Sequence, residues 1–192
     1  MFQSKKKGAL SRADHSKRGK LDERIAPAVD YINSITDLYT TSSCSGRIVL
    51  LKVPASGKKK DAEWLYVTHS SADRDKIMEI LEKPPFEQVW LRQEPFILHV
   101  CARTISCADL LLDVCRESGL KHSGMISAKE NPVVEIVGQD HMDVPLSQDK
   151  ALKTDTAYMS FIVEEANKKL ALNHRRLARF TNELKKAGKK FR

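Results

Sequence analysis

The run Thr40-Thr41-Ser42-Ser43-Cys44-Ser45-Gly46-Arg47 crowds five hydroxyls, a thiol, a glycine and a guanidinium into eight residues. Turns use hydroxyls, but rarely so many together. Glycine lets the backbone come close to a ligand, hydroxyls donate and accept, and Arg47 can clamp a carboxylate or phosphate with a two-pronged hydrogen bond. The plain alternative is a Ser-rich turn that caps itself. A sharper alternative makes Cys44 a hydrolase nucleophile with His69 as its base, but no spacing here supports a triad.

Two further stretches carry chemistry. Trp64-Leu65-Tyr66-Val67-Thr68-His69 alternates in facing, so Trp64, Tyr66 and Thr68 lie on one side of a strand and Val67 and His69 on the other. The indole of Trp64 can stack on an unpaired nucleobase, although a strand Trp is more often core. His69 ends its strand. In Pro95-Phe96-Ile97-Leu98-His99-Val100, His99 sits within an apolar strand, with Phe96, Leu98 and Val100 opposite it and Arg103 on its own face. A histidine there is either a satisfied core residue or a proton acceptor tuned by partial burial.

The elements that position these groups follow from periodicity. Ile25, Ala28, Val29, Ile32 and Ile35 recur at helical spacing, with Pro27 in the first turn. Leu38 to Thr41 and Arg47 to Val53 read as strands on either side of a turn containing Ser45-Gly46, and Glu63 to His69 as a third. Ser70 or Ser71 can cap a short helix through Lys83, which Pro84-Pro85 ends. Gln88 to Arg92 and Pro95 to Arg103 are strands, the second nearly all apolar and therefore central. Ser106 can cap a helix that stops at Gly119. Short strands at Gly124 to Ser127, Val133 to Val137 and Met142 to Pro145 precede a long final helix over 154–187. Strands and helices mix without strict alternation, which predicts an α+β protein with a mixed β-sheet flanked by helices and a long basic C-terminal helix. The chain reads as one domain over 1–192.

Charge is unevenly placed. The chain of 192 residues carries a formal +8. Met1 to Arg24 holds eight bases against three acids, Lys168 to Arg192 ten against one, and the segment between them is acidic by six. Basic ends on an acidic body suit a polyanion gripped at its backbone, and RNA is the leading candidate. Exposed solubilising termini are the plain alternative. Lys58-Lys59-Lys60 reads as a solvated loop tip, and in the basic arm over 1–20 the terminal position of Lys5, Lys6 and Lys7 favours mobility while leaving their order open. No apolar run spans a membrane, and the N-terminus has no apolar core for a secretory signal, which places the chain in the cytoplasm. Cys44, Cys101, Cys107 and Cys115 form no C-x-x-C pair, and six scattered histidines predict no metal site.

Five pieces in order resemble the tRNA wybutosine-synthesis methyltransferases: Thr41 to Arg47; Trp64-Leu65 with Val67-Thr68-His69; Glu94-Pro95-Phe96 with Leu98-His99-Val100; Ser118-Gly119 with Ser123-Gly124; and Val144-Pro145-Leu146. The resemblance spans Ser11 to Arg179. It implies S-adenosylmethionine-dependent methylation of N4 of the tricyclic 4-demethylwyosine-type base at position 37, beside the anticodon of phenylalanine tRNA. The Gly-rich strand-turn-helix of the Rossmann-type methyltransferases is absent, so a different fold is expected. On this reading Ser43, Ser45, Gly46 and Arg47, with Trp64 and Arg103, hold cofactor or base. His69 or His99 accepts the proton, and Lys5, Lys6, Lys7, Arg175, Arg176 and Arg179 meet the RNA backbone. The competing class is a non-catalytic tRNA-binding adaptor, for which the basic ends suffice.

Overall fold

In the computed structural model, which describes residues 1–11, 21–54, 56, 58 and 61–191, the predicted segments form two separate antiparallel sheets with helices against them. The α+β class holds. Instead of one mixed sheet there are two, and every strand pair in them is antiparallel. The residues cluster in two units where the sequence suggests one domain. The first comprises Met1–Ser45, Phe96–Gln139 and Asn173–Arg192, and the second Gly46–Pro95 and Asp140–Leu172. The remainder of the basic arm, 12–20, and Lys59 and Lys60 lie outside the described residues.

The first unit contains α1 (Phe2–Leu10), α2 (Ala26–Ser34), β1 (Leu38–Cys44), β5 (Ile97–Ala102), α4 (Ile105–Glu117), β6 (Gly124–Ser127) and β7 (Val133–Val137). To these it adds the second part of α5 (Thr156–Ala187) and a 3-10 turn, Gly188–Phe191. Its sheet runs β1-β5-β7-β6, so the apolar strand is internal, as its composition requires. Leu98, Val100, Val134 and Ile136 point to one face. There they join Ile32 of α2, Leu111 of α4, and Phe180 and Leu184 of α5 in one core, each large side chain contributing about 1.5–3 kcal/mol by leaving water. Thr104, not Ser106, caps α4, accepting from Cys107 N at 3.2 Å. Gly119 ends that helix at φ +81°, the left-handed conformation expected of it.

The N-terminal segment departs most from expectation. Residues 2–10 are helical, and Phe2 is buried against Tyr39 with ring centroids 5.3 Å apart. Lys6 is buried as well and donates Nζ to the Ile35 carbonyl at 2.5 Å. Burial lowers its pKa, while Asp37 opposes the shift. Lys5 is paired with Glu130 at 2.9 Å. Of the three lysines assigned to RNA, Lys6 is therefore turned inward and Lys7 is exposed without a partner among the described residues.

The second unit holds β2 (Arg47–Val53), β3 (Glu63–Thr68), α3 (Arg74–Leu81), β4 (Gln88–Glu94), β8 (Met142–Gln148), β9 (Ala151–Leu152) and the first part of α5. Its sheet runs β3-β2-β4-β8-β9. Ile48, Leu50, Leu91 and Leu146 meet Ile77 and Leu81 of α3 and Ile162 and Ala166 of α5. Asp73, rather than Ser70 or Ser71, caps α3 by accepting from Asp75 N and Lys76 N.

Two predictions follow from packing. Buried Asn173 accepts from Phe96 N at 2.8 Å and donates to Ser45 O at 2.9 Å. Asn173→Ala leaves both backbone groups unpaired and is expected to cost about 2 kcal/mol or more, read as a lower urea midpoint at constant slope. Burial pushes the Cys107 thiol up to about 11 and Cys115 to about 12. Only a thiolate is nucleophilic, so iodoacetamide at pH 8 should modify both only once the chain is unfolded, and rapid labelling of native protein would contradict this.

Candidate active site

The Ser-rich stretch is not a connection but the body of β1, which continues to Cys44; only Ser45 and Gly46 turn. Gly46 sits at φ +90°, a conformation other residues rarely adopt. Ser45 is fully buried. Its hydroxyl donates to the Asp22 carboxylate and its carbonyl accepts from Asn173. The hydroxyl assigned to a ligand is thus committed inside the protein, and Ser45 shapes the turn instead. Ser43 is half-buried in β1 opposite Leu98.

A β-bulge between Thr40 and Ser42 changes the β1 register, and Ser42 comes opposite His99. His99 in turn is opposite Glu135 on β7. Because neighbouring residues across a sheet share a face, three side chains from three strands converge. Ser42 Oγ lies 2.7 Å from His99 Nδ1, and Glu135 Oε2 lies 2.8 Å from Nε2. An ionised carboxylate only accepts, so Nε2 carries the hydrogen, and in the neutral ring Nδ1 accepts from the Ser42 hydroxyl. His99 is half-exposed on the sheet face opposite the core, the same face on which Cys101 meets Phe2 and Tyr39. This histidine has the elements of a general base: a partly exposed ring, a nitrogen lone pair shared with a hydroxyl, and a carboxylate on the other ring nitrogen that fixes the tautomer. Glu135 and Ser42 were not singled out in sequence. Glu135 had a legible signal, since it is the one charged residue in Val133 to Val137, but its partner strand was not.

In the second unit, Arg47 at the start of β2 faces Glu94 on β4, with Nε 2.5 Å from Oε2. Its guanidinium also lies over the Trp64 ring, 4.1 Å from the centroid. One edge of the fork is taken, which leaves the Nη edge for a ligand carboxylate. Trp64 remains exposed at 39%. His69 lies on the bend after β3, half-buried. Arg103 is used within the first unit: it pairs with Asp37 at 2.8 Å and its guanidinium lies 5.2 Å from the Phe2 ring centroid. It anchors α1 through its Nε edge and its face, and keeps its Nη edge, as Arg47 does. Arg175 and Arg179 are exposed on α5, Arg176 half-buried, and Arg179 donates to the Glu117 carbonyl at 3.1 Å. No group of three or more His, Cys, Asp or Glu among the described residues could hold a metal ion, and no helix among them is long and apolar enough to cross a membrane.

The family profile described as Methyltransferase TYW3 matches residues 4–186. The chain belongs to the TYW3 methyltransferase family. The mouse "tRNA wybutosine-synthesizing protein 3 homolog" is 39% identical over 186 residues, covering 95% of this chain and 72% of the relative. A Thermococcus sibiricus relative, "tRNA(Phe) 7-((3-amino-3-carboxypropyl)-4-demethylwyosine(37)-N(4))-methyltransferase", is 34% identical over 186 residues, covering 96% and 94%. Among solved structures, the PH1069 protein of Pyrococcus horikoshii superposes with a TM-score of 0.88 at 33% identity, covering 96% of this chain and 94% of that one. TYW3 family membership makes the protein a methyltransferase that requires a methyl donor, and its α+β fold with two antiparallel sheets is not of the Rossmann type.

If Glu135 and Ser42 hold the His99 ring in its working tautomer, Glu135→Gln should lower the turnover number about tenfold or more, with a smaller loss for Ser42→Ala. Single-turnover methyl transfer measures this, and wild-type rates in both variants would remove His99 from the chemistry.

Proposed function

We propose that the chain transfers a methyl group from S-adenosylmethionine to N4 of a 4-demethylwyosine-type base at position 37 of phenylalanine tRNA. The observation that carries the reading is His99, held by Ser42 and Glu135 on an accessible sheet face in a chain of the TYW3 methyltransferase family.

The bound donor supplies an electrophilic methyl on a positively charged sulfur. Transfer of that methyl would leave the sulfur neutral, and the nitrogen that gains the methyl must lose one proton. His99 accepts that proton at Nδ1, displacing the Ser42 hydroxyl bond. Glu135 offsets the charge that develops on the ring. The chain's other task is alignment, which for a two-reactant transfer is worth a large part of the barrier. Arg47 is suited to a carboxylate, and both the donor and the base named for the Thermococcus relative end in an amino-carboxypropyl group. Trp64 offers an indole for an aromatic ring, and Gly46, at φ +90°, a close backbone approach next to Arg47 in the same unit; in the first unit Ser43 offers a hydroxyl. His69 is the alternative proton acceptor. Lys7, Arg175, Arg176 and Arg179 meet the RNA backbone, with Lys5 joining them by exchanging its exposed pair with Glu130, which is worth little.

The test is transfer of labelled methyl from S-adenosylmethionine to phenylalanine tRNA isolated from cells lacking this protein, with unmodified transcript as control. Label on the isolated tRNA alone is expected. No label on either, together with no heat of donor binding by calorimetry, would favour a tRNA-binding adaptor. Arg47→Ala should weaken donor or tRNA binding by about 10- to 100-fold, the range for a lost charged hydrogen bond; unchanged binding of both would sink that assignment. Cys44→Ser should cost little activity, whereas a cysteine hydrolase would lose all of it.

A further inference from the structure

The basic end of α5 carries more than the three arginines already assigned. At 3.6 residues per turn, Arg175, Arg179, Asn182 and Lys186 fall within about 60° of arc and span about 17 Å of helix. Lys189 and Lys190 follow in the 3-10 turn after it. Arg175, Arg179, Lys186, Lys189 and Lys190 are all exposed.

Basic residues at a helix C-terminus have an ordinary explanation, since they complement the negative end of the macrodipole. That effect fades within the last turn. It accounts for Lys185 and Lys186 but not for Arg175 and Arg179, which lie two to three turns earlier. A second ordinary explanation, that charged ends simply fray in solvent, fails on packing. Leu184, Ala187 and Phe191 are buried in the core of the first unit, and Tyr31 Oη donates to the Lys185 carbonyl at 3.3 Å. A side chain at Gly188 would collide with the Tyr31 hydroxyl, so the turn that carries Lys189 and Lys190 is packed in place. The charges are presented on a fixed frame.

None of the side chains along this row is aromatic, and the neighbouring Phe180 is buried. Unpaired RNA is recognised largely by stacking its bases on rings, for which this face has nothing. A row of cations on one helix face, in which Lys186 would exchange its exposed pair with Glu183 for a phosphate, matches phosphates that are themselves held in a regular row.

We infer that the face of Arg175, Arg179, Lys186, Lys189 and Lys190 tracks the phosphate backbone of a base-paired RNA stem, setting register without reading sequence. This rests on the proposed RNA substrate, and extends it from the loop that holds the target base to a stem.

The full chain and its K186Q/K189Q/K190Q variant would be titrated with phenylalanine tRNA transcript, a 12-base-pair RNA duplex of unrelated sequence and a 12-nucleotide unpaired RNA, at several salt concentrations. The slope of log K against log salt for both tRNA and duplex should fall by about 2 to 3, since each neutralised phosphate contributes roughly 0.7 to 0.9. Duplex affinity should drop at least about tenfold at low salt. The substituted side chains are exposed, so the thermal midpoint should hold, and K186R/K189R/K190R should restore the slope. An unchanged slope, or a loss confined to the unpaired RNA, would overturn the inference. The titration uses neither donor nor premodified base, so a reduced slope in a protein that transfers no methyl would leave the stem track standing and remove only the enzymatic reading.

Discussion

Register between β5 and its two neighbours is the constraint on which the candidate site depends. In β5 the side chains alternate, and Leu98 and Val100 must enter the core for the first unit to bury enough apolar surface. That requirement sends His99 to the opposite face, and a slip of one residue would bury the imidazole and expose the leucines. With β5 so fixed, antiparallel pairing places Ser42 on one side of His99 and Glu135 on the other. The bulge in β1 is part of this constraint, because without the extra residue Thr41, not Ser42, would stand opposite the ring.

The ends of the same strands are held by one buried amide. Asn173 satisfies the Ser45 carbonyl and the Phe96 amide together, and Asp22 takes the Ser45 hydroxyl. Buried polar groups are costly unless all are paired. Ser45 thus acts in the first unit by fixing the end of β1, and in the second unit Arg47 is held by its pair with Glu94 and its position over Trp64.

The N-terminal helix shows how a charged segment can belong to the fold. Phe2 packs against Tyr39, Lys6 reaches the Ile35 carbonyl, and Arg103 holds Asp37 while covering the Phe2 ring. Long basic side chains bury their stems readily when the charged tip finds a partner. Net charge over 1–24 therefore overstates what is available to a polyanion, whereas at the end of α5 most of the bases stay exposed because the opposite stripe of that helix, with Leu177, Phe180 and Leu184, faces the core.

Periodicity in the sequence was enough to locate nearly every helix and strand, the central place of Pro95 to Arg103, the left-handed Gly119 and the long final helix, because these depend on spacing within a segment. The helix caps were misplaced by two or three residues, since Ser, Thr and Asp compete for that position and only backbone geometry decides among neighbours. Five ordered motifs sufficed for the family. Tertiary structure decided the rest: two antiparallel sheets instead of one mixed sheet, β1 and β2 in different sheets despite their shared turn, Glu135 beside His99 across 36 residues of sequence, and the burial of Ser45 and Lys6. Each of these is a pairing between distant segments. A residue's own type and spacing set which face it occupies, but its partner is chosen by whichever arrangement buries the apolar faces and leaves no polar group unpaired.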